Sequence, residues 1–184
     1  MAHEDLVRLL HVFGMVMMGA GLVGVWMADL RSRQLQVLAP FAEAVRTIAV
    51  FYDGFVVQGA LLLMLSGTWF IVNVYGGWSF LHVPWLVGMV GLFAFEFIEG
   101  NTITRLYFMR LRRLSRAALA AGQITPELAR ARGEITPTFT HFLDLPILFV
   151  IIALGVTRPE DWSVFLGGSA TATNGVARMR FVFD

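Results

Sequence analysis

The chain has 184 residues, of which 57% are hydrophobic and 15% are charged, whereas soluble domains are about 45–50% apolar and about 25% charged. Together with a mean hydropathy of +0.70, this composition excludes a disordered chain and predicts an integral membrane protein. Cys and Lys are both absent, which excludes disulfides, thiolate metal sites and lysine-based catalysis. The formal net charge of +1 argues against a nucleic-acid partner.

Four apolar segments are long enough to cross a bilayer, which takes roughly 20 mostly apolar residues per helix. We expect the spans at about 6–28, 47–75, 85–105 and 138–156. Residues 1–162 are therefore predicted to form an all-α, four-helix integral membrane bundle.

The arginines are distributed unevenly between the two sides of this predicted bundle. Ten lie in segments 29–46 and 105–132, and four lie elsewhere. Because cytoplasmic segments carry the excess of Arg, we expect both termini outside and a basic helix that continues the third span into the cytoplasm. Residues 163–184, rich in small polar residues, are predicted to form an external tail. The membrane is predicted to be the bacterial cytoplasmic (inner) membrane.

Charged side chains inside a bilayer are costly, so each one is a candidate functional group. With a rise of about 1.5 Å per residue, several of them fall in the cytoplasmic half of the predicted spans. We expect them to face the bundle interior as one polar network. Its expected members are Asp53, Glu96, Glu99, His141 and Asp144, with Arg46 as a counter-ion.

The local spacing of these residues supports convergence. Glu96 and Glu99 are three residues apart, as are His141 and Asp144, so each pair shares one helix face. The sequence leaves three roles open for these four residues: a hydrogen-bonded network that fastens the helices, a proton relay, or a carboxylate-rich metal site with an Asp-oriented His. The Glu-x-x-His pairs of di-iron bundles are absent.

His11 lies in the external half of the first span, within the glycine- and methionine-rich sequence HVFGMVMMGAGLVG. It is a candidate axial ligand for haem b, because the glycines leave room for a macrocycle to approach the backbone. His82 and Met89 lie toward the same side and are candidates for the second ligand. The alternative is a His bonded to a neighbouring helix.

The last span closes with the pattern DLP…LG…RP..W, at Asp144–Pro146, Leu154–Gly155, Arg158–Pro159 and Trp162. With the early LHVFG sequence and the basic third loop, this pattern resembles an uncharacterised family of predicted four-span bacterial membrane proteins. That resemblance implies the fold but no activity. More distantly, the first span is similar to four-helix protoporphyrinogen oxidases and copper-resistance membrane proteins, which implies a haem at His11. The oxidases also carry a Lys in the third helix, so the implied property here is haem or porphyrin binding rather than oxidation.

Three functions fit these features. The first is an accessory or binding subunit of a membrane redox complex, with lipids and with other membrane subunits or further copies of the chain as partners. The second is a redox protein that binds haem b or a quinone. The third is a proton-coupled transporter or a carboxylate metal-site enzyme. No Pro–Gly pair breaks a span at mid-depth, which disfavours a transporter, and dinucleotide, P-loop and Ser-His-Asp signatures are absent.

Overall fold

A computed structural model describes residues 3–134 and 136–159, which form helices joined by short turns. Four helical stretches are long and apolar enough to cross a membrane, which confirms the predicted all-α, four-span fold. They are His3–Gln34 (span 1), Leu38–Asn73 (span 2), Pro84–Ala121 (span 3) and Phe139–Thr157 (span 4). The predicted tail at 163–184 lies outside the described residues.

Each of the two middle spans consists of two α-helices joined by a five-residue π-helical segment. Span 2 consists of α2 (Leu38–Phe51), the first π segment (Tyr52–Val56) and α3 (Val57–Asn73). Span 3 consists of α4 (Pro84–Glu99), the second π segment (Gly100–Thr104) and α5 (Arg105–Ala121).

The other elements are single helices. Span 1 is the helix α1 (His3–Gln34), and span 4 lies within α7 (Thr136–Thr157). A short 3₁₀-helix (Gly77–His82) joins spans 2 and 3, and α6 (Pro126–Arg132) lies between spans 3 and 4.

The first three spans are longer than a bilayer requires. Their 32, 36 and 38 residues correspond to roughly 48, 54 and 57 Å of helix, whereas the hydrocarbon core is about 30 Å thick. Tyr75, Trp85 and Arg158 meet at one end of the bundle, in ring and cation–π contacts typical of a membrane interface. The excess length therefore projects from the opposite, arginine-rich end, which is cytoplasmic in the predicted orientation.

Most of the hydrophobic side chains that the structure leaves at most 2% exposed lie in this projecting part. Water drives apolar burial only outside the hydrocarbon, because lipid tails are as apolar as the side chains themselves. The core side chains here come from three helices and are at most 2% exposed. They are Phe41, Val45, Ile48, Leu111, Ala118, Leu128 and Ala131.

Helix α6 packs against the core of the projecting part with Leu128 and Ala131. It begins at a Thr125 N-cap, whose hydroxyl accepts a hydrogen bond from the Leu128 amide, as is common for Thr before a first-turn Pro. At the other end of α6, the Arg132 guanidinium donates to the Leu35 carbonyl at 2.8 Å and lies 4.3 Å above the centre of the Phe41 ring. The helix is thereby tied to the turn between α1 and α2.

Within the membrane, glycines allow α1 and α3 to approach each other closely. A Cβ atom at Gly59 would lie 2.5 Å from the Met18 backbone nitrogen, and one at Gly14 would lie 2.9 Å from the Leu62 Cβ. Helix α1 also contacts α2 and α7, while α4 packs against α7 and α2 packs against α5. The spans are therefore joined by small-residue contacts of the kind that lipid-embedded helices use.

The orientation of the bundle follows from its arginines and can be tested with reporter fusions. We expect a fluorescent protein fused after Arg116 to fluoresce and an alkaline phosphatase fused at the same residue to be inactive, because α5 carries the basic excess that stays in the cytoplasm. Fusions after Asn73 should show the opposite pattern, and an active phosphatase at Arg116 would reverse the orientation.

The position of the core predicts where truncation is costly. Leu111→Ala should lower the free energy of unfolding by about 2–5 kcal/mol, since it truncates a side chain that is only 2% exposed, in the part of the bundle that water surrounds. Leu65→Ala removes the same atoms from a side chain that is 67% exposed on α3 and should have an effect of less than about 1 kcal/mol. Chemical unfolding in mixed micelles measures both, and equal losses would contradict this assignment.

Candidate functional site

Four ionisable side chains lie in the bundle interior where α4 packs against α7. Glu96 and Glu99 come from the end of α4, and His141 and Asp144 come from the first half of α7. Their exposed fractions are 6%, 7%, 1% and 4%, respectively, and their three carboxyl groups interact with one another electrostatically. We call these four residues the acidic–His cluster.

The imidazole of His141 is held on several sides. Its Nδ1 lies 3.4 Å from Asp144 Oδ2, a pairing that orients the ring. The Phe108 ring packs edge-on against it at 5.3 Å, and the Trp26 indole donates to the His141 carbonyl at 3.3 Å. The second ring nitrogen, Nε2, is buried and has no hydrogen-bond partner among the described residues.

The carboxyl group of Glu99 has one satisfied oxygen and one unsatisfied oxygen. The Thr104 hydroxyl, itself fully buried, donates to Oε1 at 2.9 Å. These residues are five positions apart, the spacing that a π turn brings together. The other oxygen, Oε2, is buried and accepts no hydrogen bond within residues 3–134 and 136–159. Because leaving a buried polar atom unpaired is costly, Glu99 and His141 each have an atom suited to a proton, a water molecule or a ligand.

The two π segments meet beside the acidic–His cluster. The Tyr52 hydroxyl donates to the Gly100 carbonyl at 2.6 Å, and a Cβ atom at Gly100 would lie 2.9 Å from that hydroxyl. Tyr52 interacts electrostatically with all three cluster carboxyls. In α7, Pro146 lies two residues beyond Asp144 and removes one backbone donor. Spans 2 and 3 therefore depart from regular α-helix close to the cluster, and span 4 carries a proline there.

The cluster lies between the middle of the membrane and its arginine-rich edge, which is cytoplasmic in the predicted orientation. By helical rise, its members are roughly 18–24 Å from the external ends of α4 and α7, in a hydrocarbon core about 30 Å thick. Ionised side chains at this depth need partners within the protein.

The prediction that Asp53 and Arg46 belong to the buried network is wrong. The Asp53 side chain is 52% exposed and pairs with Arg105 at 3.6 Å. Arg46 is 69% exposed and lies 3.8 Å from Glu43. The sequence predicts that span 2 enters the membrane near Arg46. In the structure the helix already begins at Leu38, so Arg46 lies in the projecting part, outside the hydrocarbon. Asp53 is therefore roughly 30 Å from the external end of α3, at the hydrocarbon edge, where a charge can face outward.

A metal ion in the acidic–His cluster stays a prediction. Within residues 3–134 and 136–159, no three His, Asp or Glu side chains form a group that could hold a metal ion. The cluster side chains instead contact other side chains of the protein. His141 pairs with Asp144, and Thr104 donates a hydrogen bond to Glu99.

The residues around His11 do not fit a haem between α1 and α3. His11 Nδ1 lies 2.8 Å from Ser66 Oγ, and because Ser66 donates to the Leu62 carbonyl, its oxygen accepts from the imidazole. The space beside Gly14 is filled by Leu62 and by the backbone of α3, and the space beside Gly21 is filled by Phe55 and Val56 of the first π segment. The glycines therefore serve helix packing, and His11 is bonded to a neighbouring helix, as the alternative interpretation proposed.

The other two candidate haem ligands lie in different surroundings. His82 is exposed at the end of the 3₁₀-helix. Met89 is half-buried in α4, where its sulfur would lie 3.3 Å from a Cβ atom at Gly155 of α7. Met89 therefore fills a helix–helix contact, and ligation by His82 stays a prediction.

An α-helical bundle with four apolar spans and charged groups turned inward defines an integral membrane protein. Residues 5–159 match the family model described as predicted integral membrane protein (DUF2269), and the chain belongs to that family. This confirms the resemblance to a family of four-span membrane proteins, and the match includes the entire acidic–His cluster. Comparisons with curated proteins and with solved structures find no match. The more distant similarity to oxidases and copper-resistance proteins stays a prediction.

Three neutral or aromatic residues complete the site and were not singled out from the sequence. Trp26, Tyr52 and Thr104 contribute hydrogen bonds from spans 1, 2 and 3. Uncharged side chains give no signal in a search for buried charges, and a five-residue spacing does not align residues on an α-helix. Of the three, only Tyr52 lies next to a residue that the sequence singles out, namely Asp53.

The packing around His11 predicts the visible spectrum of the purified protein. We expect no Soret band that depends on His11, because atoms of span 2 already occupy the space that a porphyrin at His11 would need. Absorption spectra of wild-type protein and His11→Ala, purified with haem supplied during expression, provide the measurement. A Soret band in the wild type that His11→Ala abolishes without unfolding the protein would contradict the packing argument.

Proposed function

We propose that this protein accepts and releases protons within the membrane and that the acidic–His cluster is the group that carries them. The observation behind this proposal is the charge composition of the cluster, which sets three carboxyls against one imidazole. Within the described parts of the chain, no arginine forms an ion pair with Glu96, Glu99 or Asp144.

Such a cluster is costly when all its carboxyls are ionised. Like charges that share a desolvated site repel each other strongly, and the low dielectric of the membrane interior gives little screening. Bound protons remove this cost without requiring a large cavity. A proton on Glu99 Oε2 converts an unpaired acceptor into a donor, and Oε1 keeps its bond from Thr104.

His141 supplies a second position for a proton. With both ring nitrogens protonated, His141 forms an ion pair with Asp144 across the 3.4 Å contact. Release of the proton returns the imidazole to neutrality and leaves the Asp144 charge without that pair. The cluster can thus alternate between protonation states using only its own side chains.

A cavity on the cytoplasmic side supports access from water. It has a volume of about 220 Å³ and lies in the projecting part. Its lining includes Asp29, Ser32, Arg33, Phe41, Tyr107 and Arg132. The Arg33 guanidinium is 5.6 Å from the centre of the Phe142 ring, and Phe142 adjoins His141. The cavity and the cluster are therefore separated by about one layer of side chains.

Proton uptake by reconstituted vesicles tests this proposal. With a potassium diffusion potential and an internal pH-sensitive dye, wild-type protein should acidify the vesicles. Glu99→Gln should reduce the rate roughly 100-fold, because a positioned proton-transfer group contributes on that order, and Gln can still accept the bond from Thr104. Asp53→Asn is the matched control and should retain the wild-type rate, because Asp53 faces outward.

Infrared difference spectra between acidic and alkaline pH give a second readout. A carboxylic-acid band that Glu99→Gln removes would support proton binding at this residue. Wild-type flux in Glu99→Gln, together with an unchanged carboxylic-acid band, would rule the proposal out.

The predicted place of the protein as an accessory subunit of a membrane redox complex is a finer proposal that rests on proton handling. Proton uptake is the chemical counterpart of electron transfer to a quinone or to oxygen, so a proton-accepting subunit fits such a complex. Cross-linking in native membranes, followed by identification of the linked subunits, tests this placement.

A further inference from the structure

A second cavity opens on the surface of the projecting part, between α2 and α5. It has a volume of about 220 Å³ and shares no lining residue with the cytoplasmic cavity described above. Three arginines line it, namely Arg46 of α2 and Arg112 and Arg116 of α5. We propose that this cavity binds the phosphate of an anionic phospholipid headgroup from the cytoplasmic leaflet.

The charge of the cavity fits a phosphodiester anion. The three arginines are opposed by one acidic residue, Glu43. The Glu43–Arg46 contact is 3.8 Å long and largely exposed, and such pairs contribute little. The buried Nε of Arg112 has no hydrogen-bond partner in the part of the chain that the structure describes. A guanidinium with an unused donor is well suited to phosphate oxygens, which accept paired hydrogen bonds from Arg.

Small side chains keep the cavity open. Ala42 faces it from α2 and Ser115 faces it from α5. The buried Ser115 hydroxyl donates to the Arg112 carbonyl at 2.9 Å, so it needs no bond from a headgroup. The polar donors left for a ligand are therefore the arginines.

The depth of the cavity selects a lipid rather than a dissolved anion. Arg46 precedes Asn73 by 27 residues, and Arg112 follows Trp85 by the same number. Both are therefore roughly 40 Å from the external end of the bundle, about 10 Å beyond the hydrocarbon core, where the headgroup layer ends. Long arginine side chains reach back toward the lipid phosphates from this level, and basic cavities between helices on this side bind anionic headgroups.

Lipid retention by the purified full chain tests the proposal. The protein is exchanged into detergent containing equal amounts of phosphatidylglycerol and phosphatidylcholine with identical acyl chains, and bound lipid is counted by native mass spectrometry. Wild-type protein should retain phosphatidylglycerol preferentially. Arg112→Gln and the exposed Arg46→Gln should each lower this preference about fivefold, since one arginine near a headgroup contributes about 1 kcal/mol.

Arg113→Gln is the matched control, because it removes the same charge from an exposed residue of α5 that does not line the cavity. It should retain the wild-type preference. An equal loss in Arg113→Gln would overturn the proposal in favour of diffuse surface attraction. Displacement of phosphatidylglycerol by an equal concentration of inorganic phosphate would overturn it in favour of a site for the free ion. Neither outcome bears on proton uptake, because the acidic–His cluster shares no residue with this cavity.

Discussion

The hydrophobic effect acts on this protein only where water reaches it, and the rest of the structure depends on that boundary. Below the membrane, α2, α5 and α6 bury Ile48 and Leu128 completely, as helices of a soluble domain do. Above the boundary, cohesion comes from backbone approach at Gly14 and Gly59 and from bonds such as Tyr52 to Gly100. The acidic–His cluster lies just above this core, and the Phe108 ring that packs on His141 joins the two.

The same boundary explains what could be predicted from the sequence. The number of spans and the shared faces of the cluster pairs follow from length and helical period, and the structure agrees with both. The start of α2 does not follow, because hydropathy cannot distinguish an apolar residue in lipid from one such as Val45, which packs against other helices in water. Because of that ambiguity, the membrane edge was predicted too far toward the cytoplasmic end, and Asp53 was wrongly predicted to face the bundle interior. The π segments left no trace in composition, so the partners that they supply, Tyr52 and Thr104, could not be anticipated.

The polar groups of the membrane interior are divided between two levels. The acidic–His cluster lies between α4 and α7 near the cytoplasmic cavity, whereas His11 and Ser66 bond α1 to α3 nearer the external end. In the proposed function, the cluster exchanges protons with the cytoplasmic cavity, and passage to the external side requires a change in how the spans pack. The two π segments, Tyr52–Val56 and Gly100–Thr104, and Pro146 mark the places where helices bend most readily.

The second π segment also fixes which way α5 faces. A π turn accommodates one residue more than an α turn, and each residue rotates a helix by about 100°. Loss of one residue from Gly100–Thr104 would let span 3 relax into a continuous α-helix and would turn everything beyond it by that angle. Leu111 and Ala118 would rotate away from α2, and arginines would take their place. This single π turn therefore sets the rotation of α5 relative to α4. The number of residues in the turn is constrained for that reason, even where their side chains are not.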